Sequence, residues 1–173
     1  ESPINYMGKK TKLLRLGLVK LFPDSINTFY DLFGGSGVVS MNTKADNYVL
    51  NDIDSNLYSL YDYLKQEQPK DIISRIKRDI DKYKLEEDFS MISFNKNSSK
   101  FNQKVYDEHK ESYIKLRDRF NKTRLPIYLY ELTLYSFCQG MRFNSNGEFN
   151  MPVGNNVFSK QIENSIIKSK SFF

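Results

Sequence analysis

The first third of the chain alternates helical repeats of apolar positions with short apolar runs. Apolar residues at helical spacing predict a first helix that ends at Pro23, and its apolar positions are Leu13, Leu14, Leu18 and Leu21. The aromatic run NTFYDLF, residues 27–33, predicts a buried strand, and NYVLND, residues 47–52, predicts a second.

Two further helices are predicted around the second strand. SGVVSMNTK, residues 36–44, is expected to form a helix after the first strand. SNLYSLYDYLKQE, residues 55–67, predicts another helix, with one apolar stripe made of Leu57, Leu60, Tyr61 and Leu64. The order strand, helix, strand, helix indicates parallel strands joined by right-handed crossovers, and therefore an α/β fold.

The pattern becomes mainly helical after Pro69. Residues 70–83 predict an amphipathic helix with Ile72, Ile73, Ile76 and Ile80 facing inward. Residues 89–102 are polar and predict a loop, and a long charged helix is expected over 103–120. The next helix is expected to have Thr123 as its N-cap and Pro126 in its first turn.

The last part of the chain predicts a hairpin, a helix and the start of a strand. Asn146-Gly147 between two runs with β-forming residues indicates a hairpin turn. SKQIENSIIKSK, residues 159–170, predicts a short helix, and the final SFF resembles a third strand that has barely begun. Because open parallel sheets usually have about four to six strands, the expected sheet is incomplete.

Composition narrows the class of protein. The 173 residues carry a net charge of +5 with a pI near 9.1, which is compatible with nucleic-acid binding, and basic residues cluster at Lys9, Lys10, Lys12 and Arg15. The single Cys138 excludes an internal disulfide and a zinc site built from cysteines. The single His109 excludes a histidine-rich metal centre and is expected at a helix surface or the edge of the core. We expect no metal, no membrane segment and a cytoplasmic location.

Three glycines, Gly34, Gly35 and Gly37, follow the first predicted strand. They indicate either a tight strand-to-helix turn without a ligand or a turn against which a nucleotide-type cofactor rests. Asp52 follows about 20 residues after Asp31, at the end of the second strand, where a carboxylate can accept hydrogen bonds from ribose hydroxyls. Asp54 is the neighbouring candidate, and either aspartate could instead cap the helix that follows. Spacing alone does not separate a dinucleotide from S-adenosylmethionine.

Five segments together resemble a known family. YMGKKTKLL, DLFGGSGVVSMN, NDID, NKTR and MRFNSNGEFNMPVG occur in the order found in Dam-type DNA adenine methyltransferases, particularly phage-encoded ones. The resemblance covers essentially the whole chain. It implies a Rossmann-like methyltransferase fold that depends on S-adenosylmethionine, here with an incomplete parallel sheet. It also implies an inserted, mainly helical DNA-recognition domain that carries a β-hairpin.

The resemblance also implies domain boundaries and a cofactor site. Residues 1–66 correspond to the cofactor-binding part, 67–158 to the recognition domain, and 159–173 to a return into the methyltransferase domain that is cut short. The residues that match the family's S-adenosylmethionine motifs are Tyr6, Gly8, Lys10, Asp31, Phe33, Gly35, Gly37 and Asp52. Lys9 stands where the family usually has a second glycine.

The residues that match the family's contacts with double-stranded DNA are Lys122, Arg124, Phe137, Arg142, Asn144 and Pro152. Phe137 matches an aromatic wedge in the base stack, although the residues alone are equally compatible with a helix core. Arg142 and Asn144 match hairpin residues near the bases, where arginine pairs with guanine and asparagine with adenine. Relatives that recognise GATC carry basic residues where this chain has Asn155 and Asn156. We therefore expect GATC to be recognised loosely or not at all.

One family motif is absent from the sequence. The catalytic Asp-Pro-Pro-Tyr needs adjacent prolines, and the prolines of this chain are all isolated: Pro3, Pro23, Pro69, Pro126 and Pro152. The chain is then a fragment of an adenine methyltransferase, a non-catalytic remnant that binds DNA or cofactor, or one half that a second chain completes. The first of these is the preferred interpretation. An unrelated nucleotide-binding domain is a further alternative, against which the hairpin resemblance argues.

Overall fold

The computed structural model describes residues 2–6, 8, 10–85, 88 and 97–172. Within these residues the structure is mixed α/β, with two strands and six α-helices: α1 Thr11–Arg15, β1 Thr28–Asp31, β2 Asn47–Leu50, α2 Ser55–Gln66, α3 Pro69–Tyr83, α4 Gln103–Thr123, α5 Pro126–Tyr135 and α6 Lys160–Ser169. The predicted loop over 89–102 falls mainly outside the described residues.

The two strands pair in parallel, as their order along the chain predicts. Thr28 lies opposite Asn47 and Asp31 lies opposite Leu50, so the carboxyl ends of both strands meet at one edge. The expected start of a third strand is wrong for the described residues up to Phe172. The chain turns after α6 because the Phe172 N–H donates to the Ser169 carbonyl at 2.9 Å. The Phe172 ring then packs edge-on against Tyr48, with 5.1 Å between centroids.

Two predicted helices are shorter than expected. Gly17 adopts a left-handed φ of 91°, which ends α1 and leaves Leu18–Leu21 as a separate 3-10 helix. After the glycine turn, the predicted helix is wrong, because the chain forms only a 3-10 turn at Ser40–Asn42. There the Asn42 side chain donates to the Val38 carbonyl at 2.7 Å and Thr43 Oγ1 donates to the Val39 carbonyl at 2.9 Å. Such local side-chain bonds compete with the helical ladder.

The later helices follow the sequence pattern closely. The buried residues of α2 are Leu57, Leu60, Tyr61 and Leu64, as predicted, and Asp54 caps the helix by accepting from the Asn56 N–H. Pro126 is at the first position of α5, also as predicted. Thr123 is not the N-cap of α5, because α4 continues through Thr123, whose hydroxyl donates to the Arg119 carbonyl at 2.8 Å.

The core is centred on α5, whose residues from Ile127 to Tyr135 are all buried. It packs against α2, α3 and α4, so one apolar cluster runs from α2 through the helical region. Glu131 lies within this cluster, where burial, followed by the charge of Asp79, raises the pKa of its carboxyl well above its usual range. His109 on α4 is fully buried rather than at a surface or core edge.

None of the described helices has the length and hydrophobicity of a bilayer-spanning segment.

Candidate functional site

The glycine turn joins the carboxyl end of β1 to that of β2. The Gly34 N–H donates to the Asn51 carbonyl at 2.8 Å, and the Gly37 N–H donates to the Gly34 carbonyl at 2.7 Å. Gly35 and Gly37 have φ of 53° and 70°, a region that residues with a side chain rarely adopt. A Cβ on Gly34 would lie 2.6 Å from Leu50 Cδ1 and 3.2 Å from the Asn51 carbonyl oxygen, so a side chain here would require Leu50 to move.

Asp52 fastens this turn from the end of β2. Its Oδ2 accepts from the Gly35 N–H at 2.9 Å, and its Oδ1 accepts from the Asp54 N–H at 3.1 Å. Each carboxylate oxygen has two acceptor positions, so both retain one that can face a ligand. Asp31, at the end of β1, accepts from the Ser40 hydroxyl at 2.7 Å. The strand ends thus bring Asp31 and Asp52 to one edge, where open α/β sheets bind their ligands.

The aspartates at this edge make the local field negative. Tyr61 on α2 donates its hydroxyl to the Gly35 carbonyl. Burial raises the pKa of Tyr61 above its usual range, and the nearby charges of Asp52, Asp31 and Asp54 raise it further. The ion pairs among the described residues involve other carboxylates. This edge therefore suits a ligand that carries a positive charge.

Two large apolar side chains beside the aspartates are exposed. The Phe33 side chain is 90% exposed in the turn, and Ile53, between Asp52 and Asp54, is fully exposed. Exposed apolar side chains beside carboxylates are available to contact a ligand at this edge. Sequence reasoning missed Ile53 because a single isoleucine after a strand gives no periodic signal.

The N-terminal loop reaches the same edge. The Tyr6 hydroxyl donates to Asp54 Oδ2 at 3.2 Å, and burial followed by the charge of Asp54 raises the pKa of that phenol. A Cβ on Gly35 would lie 3.4 Å from Tyr6 Cδ1, so the ring covers the turn. Lys10 bonds within its own loop, where its Nζ donates to the Gly8 carbonyl at 2.9 Å. Lys9 lies outside the described residues.

Phe137 projects from a separate turn, over residues 136–140. Its side chain is 56% exposed, which does not fit a helix core, while its N–H donates to the Pro152 carbonyl at 2.8 Å. The next two residues, Cys138 and Gln139, have φ of 53° and 52°. Ser136 bridges Val153 in antiparallel fashion. Pro152 therefore supports the turn through its backbone.

The segment 142–150, here called the 142–150 loop, reverses direction around Gly147. Phe143 and Phe149 form one antiparallel bridge, and Gly147 has a φ of 71°. Asn144 closes the reversal, because its Oδ1 accepts from the backbone N–H groups of residues 146 and 148. The guanidinium of exposed Arg142 bonds across the loop to the Asn150 side chain at 2.9 Å and to its carbonyl at 2.8 Å.

Lys122 and Arg124 lie at the end of α4, next to the 142–150 loop. Both side chains are exposed. Arg124 donates to the Gly147 carbonyl, and its guanidinium carbon is 5.5 Å from the centroid of the Phe120 ring. Lys122 and Asn144 border one groove of about 550 Å³. The described residues therefore bring these cations, Arg142 and Asn144 to one exposed region.

The chain matches a described sequence family over nearly its whole length. Residues 6–172 match the D12 class N6 adenine-specific DNA methyltransferases. The chain is 37% identical over 154 residues to the type II methyltransferase M.FokI of Planomicrobium okeanokoites, an alignment that covers 89% of this chain and 21% of that protein.

Two further relatives give the same result. The modification methylase StsI of Streptococcus sanguinis is 32% identical, over 96% of this chain and 23% of the relative. The DNA adenine methylase of Escherichia coli (strain K12) is 29% identical, over 70% of this chain and 37% of the relative. The chain thus spans about a fifth to a quarter of the first two relatives. On the extent of the family match, the chain belongs to the D12 class N6 adenine-specific DNA methyltransferases.

Proposed function

We propose that this chain supplies the cofactor-binding and DNA-recognition parts of an adenine-specific DNA methyltransferase. The reaction is transfer of a methyl group from S-adenosylmethionine to the exocyclic amino group of adenine in double-stranded DNA. The observation that carries the proposal is the bond between the Asp52 carboxylate and the Gly35 N–H at the carboxyl edge of two parallel strands. Family membership supplies the reaction class.

The proposed architecture is a Rossmann-like methyltransferase domain with an inserted recognition domain. Residues 1–66 carry the glycine turn, 67–158 form the recognition domain with its hairpin, and 159–173 return to the methyltransferase domain. The parallel pair β1–β2 supports the first part, and the reversal of the 142–150 loop supports a hairpin-like element in the second. The two parts share one apolar core. An enzyme that modifies bacterial or phage DNA would act in the cytoplasm.

The aspartates and apolar side chains at the strand edge would hold the cofactor. S-adenosylmethionine supplies an electrophilic methyl group on a sulfonium when it is bound. The free acceptor positions of Asp52 would take the ribose hydroxyls, and Phe33 and Ile53 would lie against the adenine. Asp31 and the Tyr6 ring would favour the positive charge. Gly8, Lys10, Gly35 and Gly37 would shape the surrounding backbone.

The exposed turn at Phe137 would enter the base stack. Chemistry on a base inside a duplex requires the base to be extruded, and an inserted ring offsets part of the lost stacking. Arg142 would read a base edge, and Lys122 and Arg124 would contact phosphates. Pro152 would hold the wedge through the Phe137 N–H.

Asn144 has its Oδ1 accepting from two backbone N–H groups and its Nδ2 donating to Glu148 at 3.0 Å. We therefore assign it to shaping the 142–150 loop next to the bases.

The catalytic groups would come from outside these 173 residues. The sequence has no Asp-Pro-Pro-Tyr, and the chain spans about a fifth to a quarter of its first two relatives. They would belong to a further segment of the protein or to a second chain. The missing motif also favours a second candidate function, a non-catalytic module that binds DNA or cofactor.

The test combines binding with labelled methyl transfer. The 173-residue chain is expected to bind S-adenosylmethionine and an unmethylated duplex, and to incorporate no methyl label by itself. A longer protein that adds the catalytic motif should incorporate label, whereas the non-catalytic alternative predicts binding without transfer in every form of the native protein. A chain that binds neither S-adenosylmethionine nor the duplex would contradict the proposal.

The target sequence is proposed to differ from strict GATC. Asn155 and Asn156 stand where basic residues are expected for GATC, and the Asn156 amide donates to the Ser136 carbonyl at 3.2 Å. Loss of an arginine contact to guanine removes about 1–3 kcal/mol of discrimination. Mapping of methylated sites in cells that express the whole protein should reveal a site other than GATC or a relaxed one. Strict GATC methylation would refute the hypothesis.

A further inference from the structure

Residues 2–6, here called the N-terminal strap, connect the two sites described above. The Ser2 hydroxyl donates to the Ser36 carbonyl in the glycine turn. Tyr130, in the buried helix α5, donates its hydroxyl to the Pro3 carbonyl at 3.0 Å. Tyr6 reaches Asp54. The strap is therefore fixed to the cofactor edge at both of its ends and to the core between them.

Asn5 links the strap to the turn that carries Phe137. Its Nδ2 donates to the Cys138 carbonyl and to the Gln139 Oε1, each at 3.1 Å. These residues are more than 130 positions apart in sequence, and Asn5 immediately precedes Tyr6. A cleft of about 1050 Å³ is bordered by Asn5, by Gln139 and by Val38 next to the glycine turn. One asparagine amide thus joins the cofactor edge to the base-facing turn.

The turn is held both by its own hydrogen bonds, such as that from the Gln139 N–H to the Ser136 carbonyl at 2.9 Å, and by residues distant in sequence. Cys138 and Gln139 are consecutive non-glycine residues in the left-handed region, which is unfavourable for L-residues. Such backbone persists only where its surroundings determine it, and it is concentrated at functional sites. Asn5 holds the Cys138 carbonyl, and Phe137 is held by Pro152 on the other side. The strap is therefore one of the supports that fix the position of the wedge.

We propose that Asn5 is a positioning residue that couples cofactor binding to the placement of the Phe137 wedge. The inference rests on the proposed function. A cofactor that packs against Tyr6 fixes the strap, and Asn5 transmits that constraint to residues 137–139. Because coupling between two binding sites is reciprocal, DNA held on the wedge tightens cofactor binding by the same factor by which the cofactor tightens DNA binding.

The thiol of Cys138 reports on this turn directly. It is the only cysteine in the sequence and it is exposed. A nitroxide spin label attached to this exposed thiol therefore reports the mobility of the turn. With labelled wild-type chain, saturating S-adenosylhomocysteine is expected to slow the motion of the label several-fold. In Asn5→Ala, the label is expected to move up to about tenfold faster, since two hydrogen bonds are lost, and its motion is expected to be independent of S-adenosylhomocysteine.

Two further variants separate coupling from a general effect on folding. Asn5→Asp keeps the shape and removes the amide donor, so it should behave as Asn5→Ala. Asn47→Ala removes another asparagine bond to a backbone carbonyl, at 3.3 Å to Asn27, and should behave as wild type. Calorimetry should show S-adenosylhomocysteine affinity within about twofold of wild type in all three, which a global loss of structure would not allow.

The outcomes distinguish this inference from the proposed function. If wild-type chain binds S-adenosylhomocysteine and duplex DNA, but the mobility of the label on Cys138 does not respond to S-adenosylhomocysteine, the coupling alone is overturned. The same holds if both Asn5 variants keep the wild-type response. If wild-type chain binds neither S-adenosylhomocysteine nor DNA, the proposed function fails and the coupling fails with it.

Discussion

The substitution Gly154→Ala tests whether the Phe137 turn is held by close backbone packing. Gly154 lies against Ser136, and its N–H donates to the Tyr135 carbonyl at 2.7 Å. A methyl group on Gly154 would lie 2.6 Å from the Ser136 oxygen, 2.8 Å from its carbonyl carbon and 3.0 Å from Phe137 Cα. These are all backbone atoms, so no side chain can rotate away to make room.

The size of the effect follows from these distances. Ordinary van der Waals contact begins at 3.4 Å, so Ser136 would have to move by about 0.8 Å. That movement would strain two hydrogen bonds, from the Phe137 N–H to the Pro152 carbonyl and from the Asn156 amide to the Ser136 carbonyl. Overpacking of this kind costs about 1–3 kcal/mol, and rigid backbone places this site at about 2–3 kcal/mol.

Gly140→Ala is the matched control at the other end of the same turn. Its methyl group would lie 3.0 Å from Met151 Cε, the end of a flexible side chain, so we expect a cost below about 1 kcal/mol. Neither glycine has a left-handed φ, so both costs are steric. Urea unfolding of the chain, compared at equal m-values, gives both free energies. Equal losses in the two variants, or no loss in Gly154→Ala, would refute the packing argument.

Three further predictions concern charge. Burial lowers the pKa of His109 from 6.5 to about 4. The neutral imidazole therefore makes its full contribution to stability above pH 6.5, and about 3 kcal/mol is lost as the pH falls to about 4. His109→Phe should lose less stability than wild type over that pH range in urea titrations. Asp52→Asn should weaken S-adenosylmethionine binding about tenfold by calorimetry, while Asp62→Asn on the exposed side of α2 leaves it unchanged. Lys122→Ala should reduce the slope of log affinity for DNA against log salt concentration by about 1, whereas Lys44→Ala should keep the wild-type slope. An equal reduction in both variants would contradict a phosphate contact at Lys122.

Local sequence patterns predicted those elements of the fold whose structure is set by residues close together in the sequence. The stripe on α2 was predictable because its period and its Asp54 cap agree, and parallel pairing followed from the order of elements. The predicted first helix was wrong beyond Arg15 because apolar spacing continues through Gly17, whose backbone ends the helix. The spacing of apolar residues indicates which side chains share a face and gives no information about a left-handed backbone at one residue.

The predicted site residues divide in the same way, into those that a local sequence pattern indicates and those that it does not. Gly35 and Asp52 were predictable from a strand, a glycine turn and an acid at a fixed spacing, and the structure joins them. The placement of Ile53 and of Asn5 depends on how distant segments pack, so no local pattern indicates it. Whether these residues bind cofactor and DNA stays a prediction.

Side chains of α4 hold the end of the 142–150 loop, which explains how an irregular segment keeps one shape. Asn121 exchanges two hydrogen bonds with the Phe149 backbone, at 2.8 and 3.2 Å, in the manner of a neighbouring strand. Tyr113 donates to the Met151 carbonyl at 2.9 Å from a buried position. These anchors satisfy backbone groups that a single antiparallel bridge leaves unpaired. Substitutions at exposed residues of the loop are therefore expected to leave this scaffold intact, and on the proposed function they would change the DNA sequence that is recognised.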